Sequence, residues 1–459
     1  MKFNPTTESD YNSTITHSGG GAPTISVSLS GKGTAQIILP DSIPFGFASV
    51  GAGTTGGAGG TTVIISNGQQ LADILKLREK TSDPRLPVTF YISGNITFPA
   101  DEINIKRTSN VSVIGLGNDA KFSGTGIKMV ESSNIIVRNI TFSDCTAGEG
   151  DGVSIEGCNN VWVDHCTFSD SPSIDLNGDN HDGELDVKKG SYNVTLSWNH
   201  MMNHRKTCLM GHSVSETGDT SLKATYYRNW FDGTYSRHPR VRYGSAHMLN
   251  NLYTSVGVGG GYGVGITCAA NVFVEGNYFE NTPTPILISQ VNDPGETLSG
   301  DPVGYVKASN NYLSGSGTIV ENTSSYHFTP NDFYAYTPGD AEGVKNIVKA
   351  GAGAGVLNFP TSIHDALNPA VPTSFELYQN YPNPFNPATN VQFAISRLQF
   401  VELKIFDVLG REIALLVSEE KPAGKYIVRW DAGNRPSGIY VVRLRADNFA
   451  DTKKMLFLK

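Results

Sequence analysis

Between residues 110 and 315 the chain repeats one short phrase, an apolar run that reaches a polar residue and then an aromatic or bulky apolar step. The copies are VRNITFSD, VDHCTFSD, SWNHMMNH, YRNWFDGT, LNNLYTSV, EGNYFENT and SNNYLSGS. Aligned on Asn139, His165, Asn199, Asn229, Asn251, Asn277 and Asn311, they are spaced 26, 34, 30, 22, 26 and 34 residues apart. A period that stays above about 20 residues but stretches irregularly suits a solenoid whose coils are several short strands, with one bend free to carry a long loop. No helical period runs inside the repeats, so the expected fold is all-β, a parallel β-helix rather than an αβ solenoid. Asparagines stacked at one bend would satisfy each other's amides and the turn backbone, which explains a polar residue at that position.

Composition agrees with a turn-rich β protein. Of 459 residues 50 are Gly and 23 Pro, and 17% are charged, against roughly 25% charged in an average soluble domain. No stretch approaches the roughly 18 apolar residues of a transmembrane helix, so no membrane span is expected. A hydrophobic fraction of 39% is too rich for a disordered chain. The net charge of −8 with no basic block argues against a nucleic-acid partner. That average hides an asymmetry: from Pro372 onward there are 12 basic and 9 acidic residues, against 23 and 34 in the 371 residues before it. Two separately evolved pieces are the simple reading. The five cysteines are scattered, lack a CxxC pair and are expected to be buried small apolar residues.

The chain divides accordingly. Residues 1–44 read as an N-terminal tail or leading strand with one alternating run, Ile25 to Leu29, and no signal-peptide pattern. Gly51 to Gly60 reads as a structural loop, because no Gly-Lys-Ser/Thr follows it and the next segment is a strand. Asn67 to Glu79 carries apolar residues at helical spacing and is placed over an open end of the β structure. The solenoid, residues 45–355, is expected to close at a short helical pattern, AEGVKNIVKAGAGAG. Residues 356–373 are a Pro-bearing linker, and 374–459 hold alternating strands separated by turns, a small β-sandwich.

The ladder serves as an angular ruler for the chemistry. Glu149 and Asp151 lie 16 and 14 residues before His165, while Asp182 and Asp186 lie 17 and 13 before Asn199. The two acidic pairs therefore fall at nearly one angle on consecutive coils, which stack roughly 4.8 Å apart. Carboxylates converging at that distance repel unless a hard divalent cation sits among them, and an oxygen-only set selects Ca²⁺ or Mg²⁺. Solvated acidic turns are the bland alternative. Arg237 lies 14 residues before Asn251, at the angle of the acids but two coils further on, with Lys206 on the coil between and Arg240 and Arg242 close by. A line of metal, Lys and Arg suits an extended ligand with a carboxylate on each unit, unless the arginines only pair with local acids. His204, His238 and His247 are read as structural or cleft-lining residues.

These runs, VWVDHCTFSD, DGELDVKKGSYNVTLSWNHMMNHRKTCLMG and YYRNWFDGTYSRHPRVRYGSAHMLNN, together with GFASVGAGTTGGAGG and GLGNDAKFSG, resemble pectate lyases of polysaccharide lyase family 1 over about residues 45–355. The resemblance implies a right-handed parallel β-helix that cleaves de-esterified polygalacturonate by β-elimination with bound Ca²⁺. Position by position it implies that Asp151, Asp182 and Asp186 hold calcium, with Glu149 where the family more often has Asp. It makes Lys206 the lysine that holds a substrate carboxylate, Arg237 the catalytic base and Arg242 a second substrate-binding arginine. The acidic set argues against the pectin-lyase branch, which handles methyl-esterified polymer without calcium. A guanidinium gives up a proton only reluctantly, so an alkaline optimum is expected. A lyase acting on partly methylated pectin and a silent β-helix adhesin are the alternatives.

The tail has its own resemblance. FELYQNYPNPFNP, VELKIFDVLGRE, PAGKYIVRWDA, PSGIYVVRLRA and DTKKMLFLK are similar to the C-terminal sorting domain of the type IX secretion system. That implies a secreted or cell-surface protein that engages the type IX machinery, and nothing demands more than a monomer.

Overall fold

The computed structural model describes residues 9–17, 25–33, 43–80, 86–98, 101–170, 181–295, 297–357, 374–380, 383–422, 424–433, 435–447 and 449–458. Most of the expected linker, from residue 358 on, lies outside them, as do parts of the first 42 residues. Ser9–His17 and Ile25–Gly33 pair as an antiparallel hairpin, so the alternating run of the leader is a strand.

Three parallel sheets wind around one core, as the irregular period predicts. The first has ten strands from Thr61–Ile65 to Tyr305–Ser309, the second nine from Asn95–Ile96 to Tyr312–Ser314, and the third eight from Ile103–Lys106 to Ile286–Ile288. Each coil gives one short strand to each sheet, and neighbours pair in register along the stack. The bulky step of the repeat now has a place. Phe122, Phe142, Phe168, Met201, Phe231, Tyr253 and Phe279 occupy one register position of the second sheet, all facing the interior. Rings stack where they are adjacent, with centroids 5.1 Å apart for Phe142 and Phe168 and 4.4 Å for Tyr253 and Phe279.

The polar position forms a buried amide ladder. Asn199 Nδ2 donates to Asn229 Oδ1 at 3.0 Å, Asn229 to Asn251 at 3.0 Å, Asn251 to Asn277 at 2.9 Å and Asn277 to Asn311 at 3.0 Å. Each Oδ1 also accepts the backbone N–H of the preceding rung. The sequence alignment slips by one residue in the first two coils. Thr141, Thr167 and His200 share a register, so Asn199 sits over Cys166 and Ile140, not over His165 and Asn139. His165 and Asn139 are instead left-handed turn residues, at φ 50° and 56°, where Trp198, Arg228 and Asn250 stand on later coils. A polar side chain that tolerates positive φ looks in sequence much like a ladder residue.

The front helix forms over Gly68–Lys80, one residue from its predicted span. Asn67 caps it by accepting the N–H of Gln70 at 3.2 Å. Leu71 and Leu75 are buried in the solenoid core, so the helix covers the first coil as expected. The glycine loop lies on the first sheet. A Cβ at Gly57 would fall 1.9 Å from the Val88 carbonyl oxygen, and its N–H donates to Ser112 Oγ at 2.8 Å. The second helix, Val344–Gly351, lies along the flank of the solenoid. Val344 and Val348 pack on Leu252 and Tyr278, on the flank of the second sheet. The segment after it runs back toward the first coils: Gly353 N–H donates to Trp198 O, Ala354 to Thr167 Oγ1 and Gly355 to Asn139 Oδ1, and Leu357 packs on Tyr91, Ile114 and Leu116. It is a strap along the stack.

Residues after 374 form antiparallel sheets of three and four strands around a separate core that includes Phe385, Phe393, Leu403, Trp430 and Phe457. This is the expected small sandwich. All five cysteines are free and buried. Among the described residues no helix is long and apolar enough to cross a membrane.

Candidate active site

The third sheet and the turns leading into it carry the charged residues singled out in the sequence. Val153, Leu185 and their neighbours pair in register, which sets Asp186 beside Ser154 and brings Asp151 beside Gly183 on the next coil. Lys206 bridges Ser236, next to Arg237, on the two coils after that. The angular ruler therefore brings the acids, Lys206 and Arg237 to one edge of the sheet on consecutive coils.

Asp151 and Asp186 are buried, and each has one oxygen fixed by backbone. Asp151 Oδ1 accepts Gly183 N–H at 2.8 Å, and Asp186 Oδ1 accepts Leu209 N–H at 2.8 Å. Their other oxygens meet the ammonium of Lys188, 2.8 Å from Asp151 Oδ2 and 3.5 Å from Asp186 Oδ2. Glu149 Oε2 lies 3.6 Å from the same nitrogen, while its Oε1 pairs with Lys128. Asp182 is half-exposed and faces Lys206, with Oδ1 3.5 Å from Nζ. The four predicted acids thus share one neighbourhood: oxygens of Asp151, Asp186 and Glu149 surround the Lys188 nitrogen, while Asp182 turns to Lys206. Among the described residues no three His, Cys, Asp or Glu side chains are gathered tightly enough to hold a metal ion.

The electrostatics follow from burial and neighbours. Burial first, and then repulsion from Asp151, push the Asp186 carboxyl up to about 7. Burial works against the Lys188 ammonium, but Asp186 and Asp151 outweigh it and hold the proton more tightly than on a free lysine. Burial also opposes ionisation of Glu149, where Lys128 and Lys188 prevail and lower it.

The three arginines separate clearly. Arg240 and Arg242 both pair with Asp301 Oδ2 at 2.9 Å, and Arg242 also reaches the carbonyls of Gly211 and His212 at 3.4 Å. Arg237 is half-buried, stands in the left-handed region at φ 68°, and its guanidinium makes no ion pair among the described residues. A bulky residue held at positive φ is costly, by about 1–2 kcal/mol, and persists where the surroundings impose it. Of the histidines, His204 and His238 have both ring nitrogens engaged, while His247 Nε2 is buried without a hydrogen bond. His238 is fully buried, takes hydrogen bonds with Thr207 and Thr234 at Nε2 and faces the Tyr262 carbonyl with Nδ1, and burial lowers it to about 4. His204 Nδ1 accepts the Lys206 N–H, its Nε2 lies 3.3 Å from Asp170, and burial followed by His181 lowers it to about 3. His247 faces Tyr334 and Glu275 on the first sheet, away from this edge.

Sequence reasoning passed over Lys188, Lys128, Asp301 and Glu184. Lys188 carried a usable signal, since it follows Asp186 by two residues on one strand and so faces the same side. Asp301 comes from a distant loop and carried none. Glu184 is buried with neither carboxylate oxygen hydrogen-bonded, beside a cavity with room for about one water and lined also by Asp170, His181, His204 and Cys145. Burial, then Asp170, raises its carboxyl well above the ordinary range.

The fold is thus a parallel β-solenoid that carries acids, a lysine and, among the described residues, an arginine without an ion pair along one sheet edge. A pectate lyase family model matches residues 34–357, and a secretion system C-terminal sorting domain model matches residues 379–458. The chain is 35% identical over 316 residues to a pectate trisaccharide-lyase of Bacillus licheniformis, covering 68% of this chain and 86% of that protein. It is 33% identical over 311 residues to pectate lyase A of Emericella nidulans, covering 67% and 86%. The crystal structure of a pectate lyase from Bacillus sp. N165 in complex with trigalacturonate matches with a TM-score of 0.61 at 30% identity, over 68% of this chain and 99% of that one. Pectate lyase II of Xanthomonas campestris matches at 0.57 and 29%, over 68% and 98%. This chain belongs to the pectate lyase family and is a polysaccharide lyase. Its C-terminal sorting domain points to secretion or the cell surface.

Proposed function

We propose that the protein is a secreted, calcium-dependent pectate lyase that cleaves α-1,4-linked polygalacturonate by β-elimination and leaves 4,5-unsaturated ends. The observation that carries this reading is a buried carboxylate nest that already holds a cation, the Lys188 ammonium, on the same sheet edge as Arg237, whose guanidinium makes no ion pair among the described residues. The oxygen-only donor set fits a hard divalent ion. Asp151, Asp182 and Asp186 would hold it, with Glu149 at the margin. Bound there, calcium would neutralise a galacturonate carboxylate and so acidify the C5 hydrogen α to it.

The remaining work falls to side chains. Lys206 binds a substrate carboxylate and stabilises the enolate-like charge that develops on it. Arg237 removes the C5 proton; the electron pair left behind forms the C4–C5 double bond, and the C4 oxygen departs with the chain and takes a proton from water. Arg242, steadied by Asp301, holds a further carboxylate and orients the polymer. The same reading assigns residues 45–355 to the lyase, 374–459 to the type IX sorting unit, 356–373 to the linker and 1–44 to a leader segment.

Mass spectrometry of the products from polygalacturonate and from highly esterified pectin tests the reaction class. Fragments one water lighter than hydrolysis products, formed from polygalacturonate in preference to the esterified polymer, are expected. Hydrolytic ends, or no cleavage of either polymer, would contradict it.

A further inference from the structure

We propose that Lys188 is a built-in counter-ion that calcium must displace, so that this residue sets the affinity of the site for the metal. The inference rests on the calcium reading above and adds a residue to it. Asp151 and Asp186 each commit one oxygen to a backbone N–H, which fixes both carboxylates. The oxygens left over, Asp151 Oδ2 and Asp186 Oδ2, are the two that Lys188 Nζ holds, with Glu149 Oε2 as the third. Calcium binds oxygen at about 2.3–2.6 Å, so an ion using these oxygens would occupy the place of the ammonium. The two cations cannot share it.

The fold also supplies a place for the displaced amine. Glu156 stands in register with Lys188 on the preceding coil. Its side chain is nearly fully buried, and its Oε1 is already 3.9 Å from Lys188 Nζ and 3.6 Å from Lys128. Its other oxygen holds Lys189 at 2.6 Å. A short swing therefore takes Lys188 from the Asp151–Asp186 nest onto Glu156, without leaving the network or stranding a buried charge. The arrangement explains how buried like charges coexist on adjacent coils before metal arrives, a state that two close carboxylates would otherwise resist.

Calorimetric titration of Ca²⁺ into the full chain, stripped of divalent ions, tests this. Lys188→Met removes the competitor and is expected to bind calcium at least about tenfold more tightly than wild type, while its metal-free form melts lower and gains more from calcium. Lys188→Arg keeps the charge and is expected to lack that gain. Unchanged or weaker calcium binding by Lys188→Met would overturn the proposal. If the Met variant does not fold, a calcium-bound crystal structure of the wild type decides: Lys188 Nζ is expected near Glu156, and its persistence on Asp151 beside a bound ion is the contrary result. Absence of calcium binding by both wild type and Lys188→Met would instead overturn the calcium reading itself, and this proposal with it.

Discussion

Among the described residues, Arg237 has no ion-pair partner and Glu184 no hydrogen bond to either carboxylate oxygen. Arg237 is half-buried on a left-handed backbone. Arg237→Lys keeps a cation but loses reach and the planar fork; we expect turnover to fall by about a hundredfold or more with KM changed only a few-fold, read in steady-state kinetics on polygalacturonate. Glu184 is sealed under the site with no hydrogen bond to either oxygen. Its proton affinity is raised in the fold, so above the ordinary glutamate value the unfolded chain releases a proton that the folded chain keeps. Its contribution to stability is therefore complete below that value and is lost as pH rises toward the folded one. Glu184→Gln removes this slope, and the melting-temperature gap between variant and wild type should widen as pH increases from 5 to 8 on the order of a few degrees. Asp301 supports Arg242 and Arg240 together; if Arg242 binds substrate as proposed, Asp301→Asn should raise KM several-fold and leave kcat nearly intact. Residues at this scale were legible in proportion to their periodicity. Asp151, Asp186 and Arg237 could be placed by counting along the coils, and Lys188 could have been. Asp301 could not, because a loop inserted between coils has no register to count from.

At the scale of elements, the amide ladder and the aromatic stack are one repeat seen from two residues. The ladder runs through Asn199, Asn229, Asn251, Asn277 and Asn311, each amide serving the next coil. Asn251 donates to Tyr226 O and Asn277 Oδ1 and accepts twice from Asn229. Asn251→Ala would leave the buried Asn229 N–H without a partner, and should cost about 2–4 kcal/mol of unfolding free energy in denaturant titration. The sequence showed the ladder but not where it begins. In the first two coils the polar residue that suggests a rung is the turn residue before it, and Cys166 and Ile140 fill the rung position. A small apolar side chain can sit at that bend because the neighbouring Asn199 already satisfies Cys166 N–H, at 2.9 Å. The second helix was legible as a helix, but its seat was not. Its amphipathic pattern records that one face is buried, and pattern alone does not say against which coil.

For the whole molecule, the change of composition near Pro372 separates two cores. The solenoid core and the sandwich core share no buried residue. A chain ending at residue 373 should therefore fold and retain the kcat of the full protein on polygalacturonate, while losing export in a host with the type IX machinery. The net −8 averages +3 in the tail with −11 before it, so the solenoid is the acidic part of the chain. The most direct test of the central claim is the rate at which ultraviolet-absorbing unsaturated ends appear on polygalacturonate, with protein stripped of divalent ions and calcium then added back in steps. The account predicts no activity in excess EDTA and saturable recovery with calcium. Undiminished formation of unsaturated ends in EDTA would contradict it.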